Sequence, residues 1–79
     1  MTTAYVLINC ESRSEPVIIE ELRRISQVVE AYNVDSSYDI IAKVKADTVD
    51  KVKEVIALKI RAFEQIRATL TLVARSKNK

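Results

Sequence analysis

The 79-residue chain contains no glycine, histidine or tryptophan, one cysteine and one proline. The absence of histidine removes the usual ligand sets for zinc and non-haem iron and the common histidine-dependent nucleophile systems. The single cysteine, Cys10, excludes an internal disulfide and is typical of a reducing, cytoplasmic setting. We therefore expect no metal and no cofactor. The N-terminus lacks the charged segment of a secretory signal, and no apolar run is long enough for a membrane span, so we expect neither feature.

Length and charge limit the architecture and the partners. The whole chain, residues 1–79, is predicted to form a single domain, and a core of this size contributes only about 3–5 kcal/mol of net stability, so self-association is expected. The net charge of +2 comes from 13 basic and 11 acidic residues. Its excess lies in segment 75–79, predicted to be a flexible basic tail. The remainder is nearly neutral, which argues against direct nucleic-acid binding.

Strand-like and helix-like patterns alternate along the chain in the order βαββαβ. The predicted strands cover residues 3–10, 28–34, 38–46 and 65–75, and a helix follows the first and third strands. Right-handed crossovers then give an antiparallel sheet of order 4-1-3-2 with both helices on one side. The predicted fold is α+β and ferredoxin-like.

The first strand is apolar on both faces, because Val6 and Ile8 alternate with Tyr5 and Leu7. This strand is predicted to be central, so the side without helices also needs cover. We predict a two-fold dimer in which two sheets pack face to face as an α/β sandwich or barrel, with Tyr5 and Leu7 in the interface.

The predicted caps and turns rely on serine and aspartate. Ser14 is predicted to cap the first helix, which ends near residue 26, and a capping box starting at Ser12 is the alternative. Without glycine, the hairpin is expected to place Asp35, Ser36 or Ser37 at positive φ, supported by local side-chain hydrogen bonds.

The second helix, predicted to be capped by Asp47, carries one apolar stripe at helical spacing. Val55 and Leu58 lie roughly 120° and 180° from that stripe, so we assign them to an interface with a partner. The predicted core stripe is Val49, Val52, Ile56, Ile60 and Phe63.

The last strand alternates throughout its length. Thr69 and Thr71 are predicted to lie on the side away from the helices, under the sheet-to-sheet contact. The positions predicted to face the helices are Ile66, Ala68, Leu70 and Leu72.

Several segments resemble the C-terminal effector-binding module of the Lrp/AsnC transcription regulators. They are AYVLINC at 4–10, VVEAY at 28–32, YDIIAKV at 38–44, KI at 59–60 and IRATLTL at 66–72. The resemblance covers nearly the whole chain, and the helix-turn-helix domain of full-length members has no counterpart here. The chain therefore looks like a stand-alone module of the kind called RAM.

The resemblance implies a non-enzymatic module that senses amino-acid-type effectors, forms dimers and rings of four or five dimers, and acts through full-length Lrp/AsnC regulators. It places the effector between neighbouring dimers, against Ser36, Ser37, Tyr38 and Asp39 of the turn and Arg61 at the end of the second helix. Asp39 would accept from the effector's ammonium group and Arg61 would bind its carboxylate. Ser37 stands where the family pattern has glycine.

Other readings stay open. Tyr38 and Asp39 also fit structural roles in the hairpin, and Arg61 fits a solvated helix-end charge. Small dimeric α+β barrels include enzymes such as cofactor-free monooxygenases, although these usually use histidine, tryptophan or well-placed acids. Single-stranded RNA binding would need aromatic rings on two central strands, and Tyr5 has no ring partner on the third strand.

Overall fold

The computed structural model describes residues 1–74 and confirms the βαββαβ order. The antiparallel sheet has the order β2-β3-β1-β4, which is the predicted 4-1-3-2 order read from the other edge. The predicted basic tail 75–79 lies outside the described residues. The elements are β1 Thr2–Cys10, α1 Glu15–Arg23, β2 Val28–Asn33, β3 Ile40–Ala46, α2 Val49–Val55 and β4 Ile66–Ala74.

One apolar core lies between the sheet and the two helices. Val6 and Ile8 of β1 are fully buried against Ile18 and Leu22 of α1 and Val52 of α2. Every second residue of β1 takes part, as the period of a strand requires. In residues 1–74, neither helix has the length and apolar character needed to cross a membrane.

The start of α1 differs in detail from the predicted cap. Ser14 is the residue before the helix, as expected, but its hydroxyl makes no capping bond and donates to the carbonyl of Glu11. Arg13, in the loop between β1 and α1, has a φ of 71° and therefore adopts the left-handed conformation. The helix ends at Arg23, not near residue 26.

The β2–β3 hairpin is longer than expected, and the prediction of a residue at positive φ within it is wrong. Its connection covers the six residues 34–39, and within residues 1–74 Arg13 alone is at positive φ. A longer loop can reverse the chain without a left-handed residue, so the lack of glycine is tolerated here. The Val34 N–H donates to the Asp39 carbonyl at 2.9 Å and closes the loop.

The second helix is capped by Thr48, not by Asp47. The Thr48 hydroxyl accepts from the Lys51 N–H at 3.1 Å, because extended backbone angles at Thr48 point its side chain at the first turn. After Val55 the chain continues as a π-helical segment, Ile56–Ile60, in which the Arg61 N–H donates to the Ile56 carbonyl at 2.9 Å. This wider turn adds a residue and shifts the phase of the positions that follow it.

Two assignments on α2, both N-terminal to the π-helical segment, are wrong. Val55 is only 4% exposed and belongs to the core, whereas Val49 is 40% exposed. The buried stripe is centred on Val52, roughly 40° from the predicted centre, and the π-helical segment returns Ile60 to the core side. Leu58 is 67% exposed, as predicted.

The faces of β4 are also reversed beyond its first residues. Cys10 of β1 pairs with Ile66, but Asn9 pairs with Ala68, so Arg67 is an extra residue in a β-bulge. A shift of one residue moves every later side chain to the other face. Thr69 and Thr71 consequently lie on the helix side of the sheet, opposite to the prediction, and the face without helices receives Ala68, Leu70 and Leu72.

Candidate functional site

The face of the sheet without helices, here called the open face, is largely apolar. Leu7 lies at its centre and pairs with Ile41 of β3 on one side and Leu70 of β4 on the other. Tyr5 pairs with Leu72, and Tyr32 of β2 pairs with Ile41. The predicted positions of Tyr5 and Leu7 on this face are thus correct, and the bulge in β4 makes the face more apolar than the sequence indicated.

Polar groups lie at the β2 side of the open face. The Lys43 Nζ is 5.9 Å from the centre of the Tyr5 ring, a cation–π distance. Glu30 pairs with Lys43 across the strands, and the Glu30 carboxylate raises the pKa of the nearby Tyr32 hydroxyl. An apolar patch with a polar margin is typical of a protein–protein contact.

Asp39, the predicted acceptor for an effector, already has a structural partner. Its Oδ2 accepts from the Cys10 N–H at 2.9 Å, and its own N–H donates to the Ile8 carbonyl at 2.9 Å. Asp39 therefore ties the hairpin to the end of β1. Neither bond involves Oδ1.

The other turn residues are arranged around the same strand end. The Asn9 side-chain amide donates to the Ser37 carbonyl at 2.8 Å, and the Tyr38 N–H donates to the Ser36 hydroxyl at 3.1 Å. Ser36 and Ser37 are exposed, whereas Tyr38 is half-buried. The loop is thus held in place while its two serines face outward.

Arg61 follows the π-helical segment and lies apart from the turn. It lines two adjoining cavities, of about 480 and 380 Å³, between the helical segment and β4. Neither cavity includes a residue of the 36–39 turn. One chain alone therefore does not bring Arg61 and the turn residues into one cavity.

Leu58 lies elsewhere on the helical side. With Gln27 and Lys59 it lines a small cavity of about 200 Å³. Its exposure is greater than that of the exposed leucines of the open face. Leu58 is therefore available to a partner that contacts the helical layer, independently of the open face.

Cys10 packs at the end of β1. Burial raises the pKa of its thiol; the neighbouring Ser14 side chain acts in the opposite direction, and the nearby carboxylates of Glu15, Asp39 and Glu11 reinforce the rise. A neutral, buried thiol is a poor nucleophile. Cys10 therefore has a packing role at the end of this strand.

The groove formed by the two Arg61 cavities is not predicted by the sequence pattern. Lys53 and Arg67 line it together with Arg61, and Thr71 lines both of its halves. Arg67, Thr69, Thr71 and Val73 share one face of β4, an alternation visible in the sequence. The sequence predicts the wrong side of the sheet for this face, because its pattern does not indicate the bulge at Arg67.

Comparison with known proteins gives a consistent result. The model of the Lrp/AsnC ligand binding domain family matches residues 3–79. The regulatory protein AsnC of Haemophilus influenzae is 35% identical over 57 residues, covering 72% of this chain and 38% of AsnC. An HTH-type transcriptional regulator of Pyrococcus furiosus is 30% identical over 76 residues, covering 92% of this chain and 51% of the regulator. The chain thus spans about half, or less, of the length of these curated relatives.

A solved structure has the same fold over nearly its full length. The crystal structure of a hypothetical protein from Pyrococcus horikoshii superposes with a TM-score of 0.91 at 35% identity, covering 98% of this chain and 93% of the other. The agreement extends over the sheet and both helices, since so little of either chain is left out.

Proposed function

Because the chain belongs to the Lrp/AsnC ligand-binding domain family, we propose that it is a module that binds an amino-acid-type effector and assembles with other copies or with full-length regulators in the control of transcription. Its relatives are transcription regulators, AsnC among them, and not enzymes. The observation that carries the proposal is the open face, which leaves an apolar sheet surface uncovered in a single chain.

Assembly starts from that face. Leu70 and Leu72 are 44% and 50% exposed, and they adjoin Leu7 and Tyr5 on the central strand. A second sheet packed against this surface would bury these side chains, as in sheet-on-sheet packing about 10 Å apart. The small core of one chain gives a further reason for such a dimer. Larger rings of four or five dimers would use other surfaces, with Leu58 as a candidate contact.

The effector site of this proposal forms between dimers. The turn residues Ser36–Asp39 and Arg61 line no common cavity within one chain, so a neighbouring copy would have to bring them together. Arg61 offers a cation for a carboxylate, and Asp39 keeps Oδ1 for an ammonium group. Backbone groups of the exposed loop would complete the contact.

The effector hypothesis is tested by calorimetry of the wild-type assembly against each of the twenty amino acids. We expect at least one to bind more tightly than about 1 mM. Asp39→Asn keeps an oxygen for the Cys10 N–H and removes the charge, so affinity should fall while the fold is kept. Loss of a charge-assisted bond of about 1.5–3 kcal/mol corresponds to a weakening of roughly ten- to a hundredfold.

Asp35→Asn is the matched control, because Asp35 is an exposed carboxylate in the same loop. It removes the same charge and should leave affinity unchanged. If no amino acid binds the wild type, or if the two variants lose affinity equally, the proposed site is wrong. The module would then be an assembly partner without an amino-acid effector of its own.

A further inference from the structure

We infer that the outer edge of β4, with the basic groove beside it, docks an acidic, extended segment of a partner protein as a fifth strand of the sheet. The basic groove is the surface between β4 and the helical segment that contains Lys53, Arg61, Arg67 and Thr71. This surface is distinct from the open face and from the 36–39 turn, and it shares Arg61 with the proposed effector site.

The outer edge of β4 has no neighbouring strand within residues 1–74. In this part of the chain β4 pairs only with β1, and after its bulge it continues as seven paired residues, 68–74. At about 3.3 Å per residue, this edge is roughly 23 Å long. It contains no proline. An exposed edge of this kind is a template for another strand.

The other edge strand of the sheet, β2, is protected against pairing with an added strand. β2 has its own register shift between Val28 and Glu30, and four residues follow it. The Arg23 guanidinium donates to the Ala31 carbonyl at 2.9 Å and occupies an acceptor of that strand. No corresponding side-chain bond to β4 is present in residues 1–74. The two edges therefore differ in their readiness to add a strand.

The hydrogen-bonding alternation identifies the free groups on β4. The Lys45 N–H of β3 donates towards β2, to the Gln27 carbonyl. Backbone hydrogen bonding alternates from one side of an antiparallel strand to the other, so the even-numbered residues of β3 bond to even-numbered residues of β1. The odd-numbered residues of β1 then bond to β4, where their partners in the register are even-numbered. The outward backbone groups of β4 then belong to Thr69, Thr71 and Val73, whose side chains also face the helices.

The charge of the groove indicates what kind of strand would fit. Lys53, Arg61 and Arg67 line it, and no acidic residue does. The ion pair described within residues 1–74 joins Lys51 to Glu54, so these three cations have no partner of opposite charge there. Acidic side chains at alternate positions of an added strand would point into the groove and supply it.

A second copy of β4 fits this edge poorly. Two-fold pairing of β4 with itself would place each basic groove beside its own copy, and like charges across a pair of strands are destabilising. An acidic partner segment has the opposite effect. The charge pattern therefore favours a partner of different sequence at this edge.

The probe for the test is a fluorescein-labelled hexapeptide of alternating glutamate and threonine, titrated with the full chain at low salt and followed by anisotropy. We expect saturable binding. Lys53→Glu and Arg67→Glu should each weaken it at least tenfold, while Lys59→Glu, on the other side of the helical segment, should change it less than twofold. A peptide of alternating lysine and threonine should bind at least tenfold more weakly.

Backbone pairing is tested separately from charge. N-methylation of alternate peptide residues keeps every side chain but removes donors, so one of the two methylated peptides should bind at least tenfold more weakly. The amides of Thr69, Thr71 and Val73 should exchange with solvent rapidly in the free protein and at least tenfold more slowly with the peptide bound.

The inference is overturned by any of three results: no peptide binding, equal binding of both methylated peptides and the parent, or β4 amides already protected in the free protein in a concentration-dependent manner. The last result would identify a second copy as the occupant. Lys53 and Arg67 lie outside the proposed effector set, so amino-acid calorimetry on their variants separates failure of this inference from failure of the effector hypothesis.

Discussion

Leu70→Asp should separate the dimer without unfolding the single chain. Leu70 lies on the open face, paired with Leu7, and 44% of it is exposed in one chain. Its replacement therefore removes few contacts from the core under the helices. In a dimer formed through the open face, the same change would place a carboxylate in an apolar contact, and two-fold symmetry would do so twice.

The magnitude follows from the exposed fraction. Full burial of a leucine side chain contributes about 1.5–3 kcal/mol, so the 44% of Leu70 that a partner can cover contributes roughly 0.7–1.3 kcal/mol per copy. Two copies lose about 1.3–2.6 kcal/mol, and the desolvation of two carboxylates adds to this. The dissociation constant of the dimer should rise at least about tenfold to a hundredfold.

Sedimentation equilibrium at micromolar concentration measures this change, with circular dichroism to confirm that the variant is folded. Val49→Asp is the control, because Val49 is 40% exposed but lies in the first turn of α2 on the helical side. The control should remain a dimer. A wild type that sediments as a monomer of 9.0 kDa, or a folded Leu70→Asp variant with unchanged dimer affinity, would refute the reasoning.

Three further predictions follow from the corrected positions of side chains. Val55→Asp should unfold the chain, because a charge at a position that is 4% exposed costs several kcal/mol and the total stability is small. Leu58→Asp, at a position that is 67% exposed, should leave the melting temperature and the dimer unchanged and reduce only larger assemblies. Equal loss of ellipticity in both variants would contradict the assigned helical phase. Asp39→Ala should lower stability by about 1.5–3 kcal/mol through loss of the acceptor for the Cys10 N–H, and Asp39→Asn should restore most of it in denaturant melts. The Cys10 thiol should react with iodoacetamide at pH 8 much more slowly in the folded chain than in urea, since burial raises its pKa; equal rates would show an open thiol.

The elements and their order could be predicted because periodicity and turn signals agree along the chain. The alternation of Val6 and Ile8 with Tyr5 and Leu7 placed β1 at the centre of the sheet and identified two apolar faces. The resemblance then located the turn at residues 36–39, which lie in the loop before β3. These signals are local, and local signals decide the type of element.

Both errors concern the phase of a repeating pattern. The bulge at Arg67 exchanged the two faces of β4, and the buried stripe of α2 lies roughly 40° from the predicted direction, so Val55 is buried and Val49 is exposed. Neither has a clear sequence signature, because both depend on how the strand or helix meets its neighbours. The basic groove was missed for the same reason, since it joins Lys53 on the helix to Arg67 on the bulged strand.

The most direct test of the proposed function is a crystal structure of the assembled protein soaked with a mixture of the twenty amino acids. The account predicts density for an amino acid between dimers, with its carboxylate at Arg61 of one copy and its ammonium group near Asp39 of another. An assembly in which Arg61 and the 36–39 turn of neighbouring copies lie far apart, or in which the cleft between them stays empty at saturating amino acid, would contradict it.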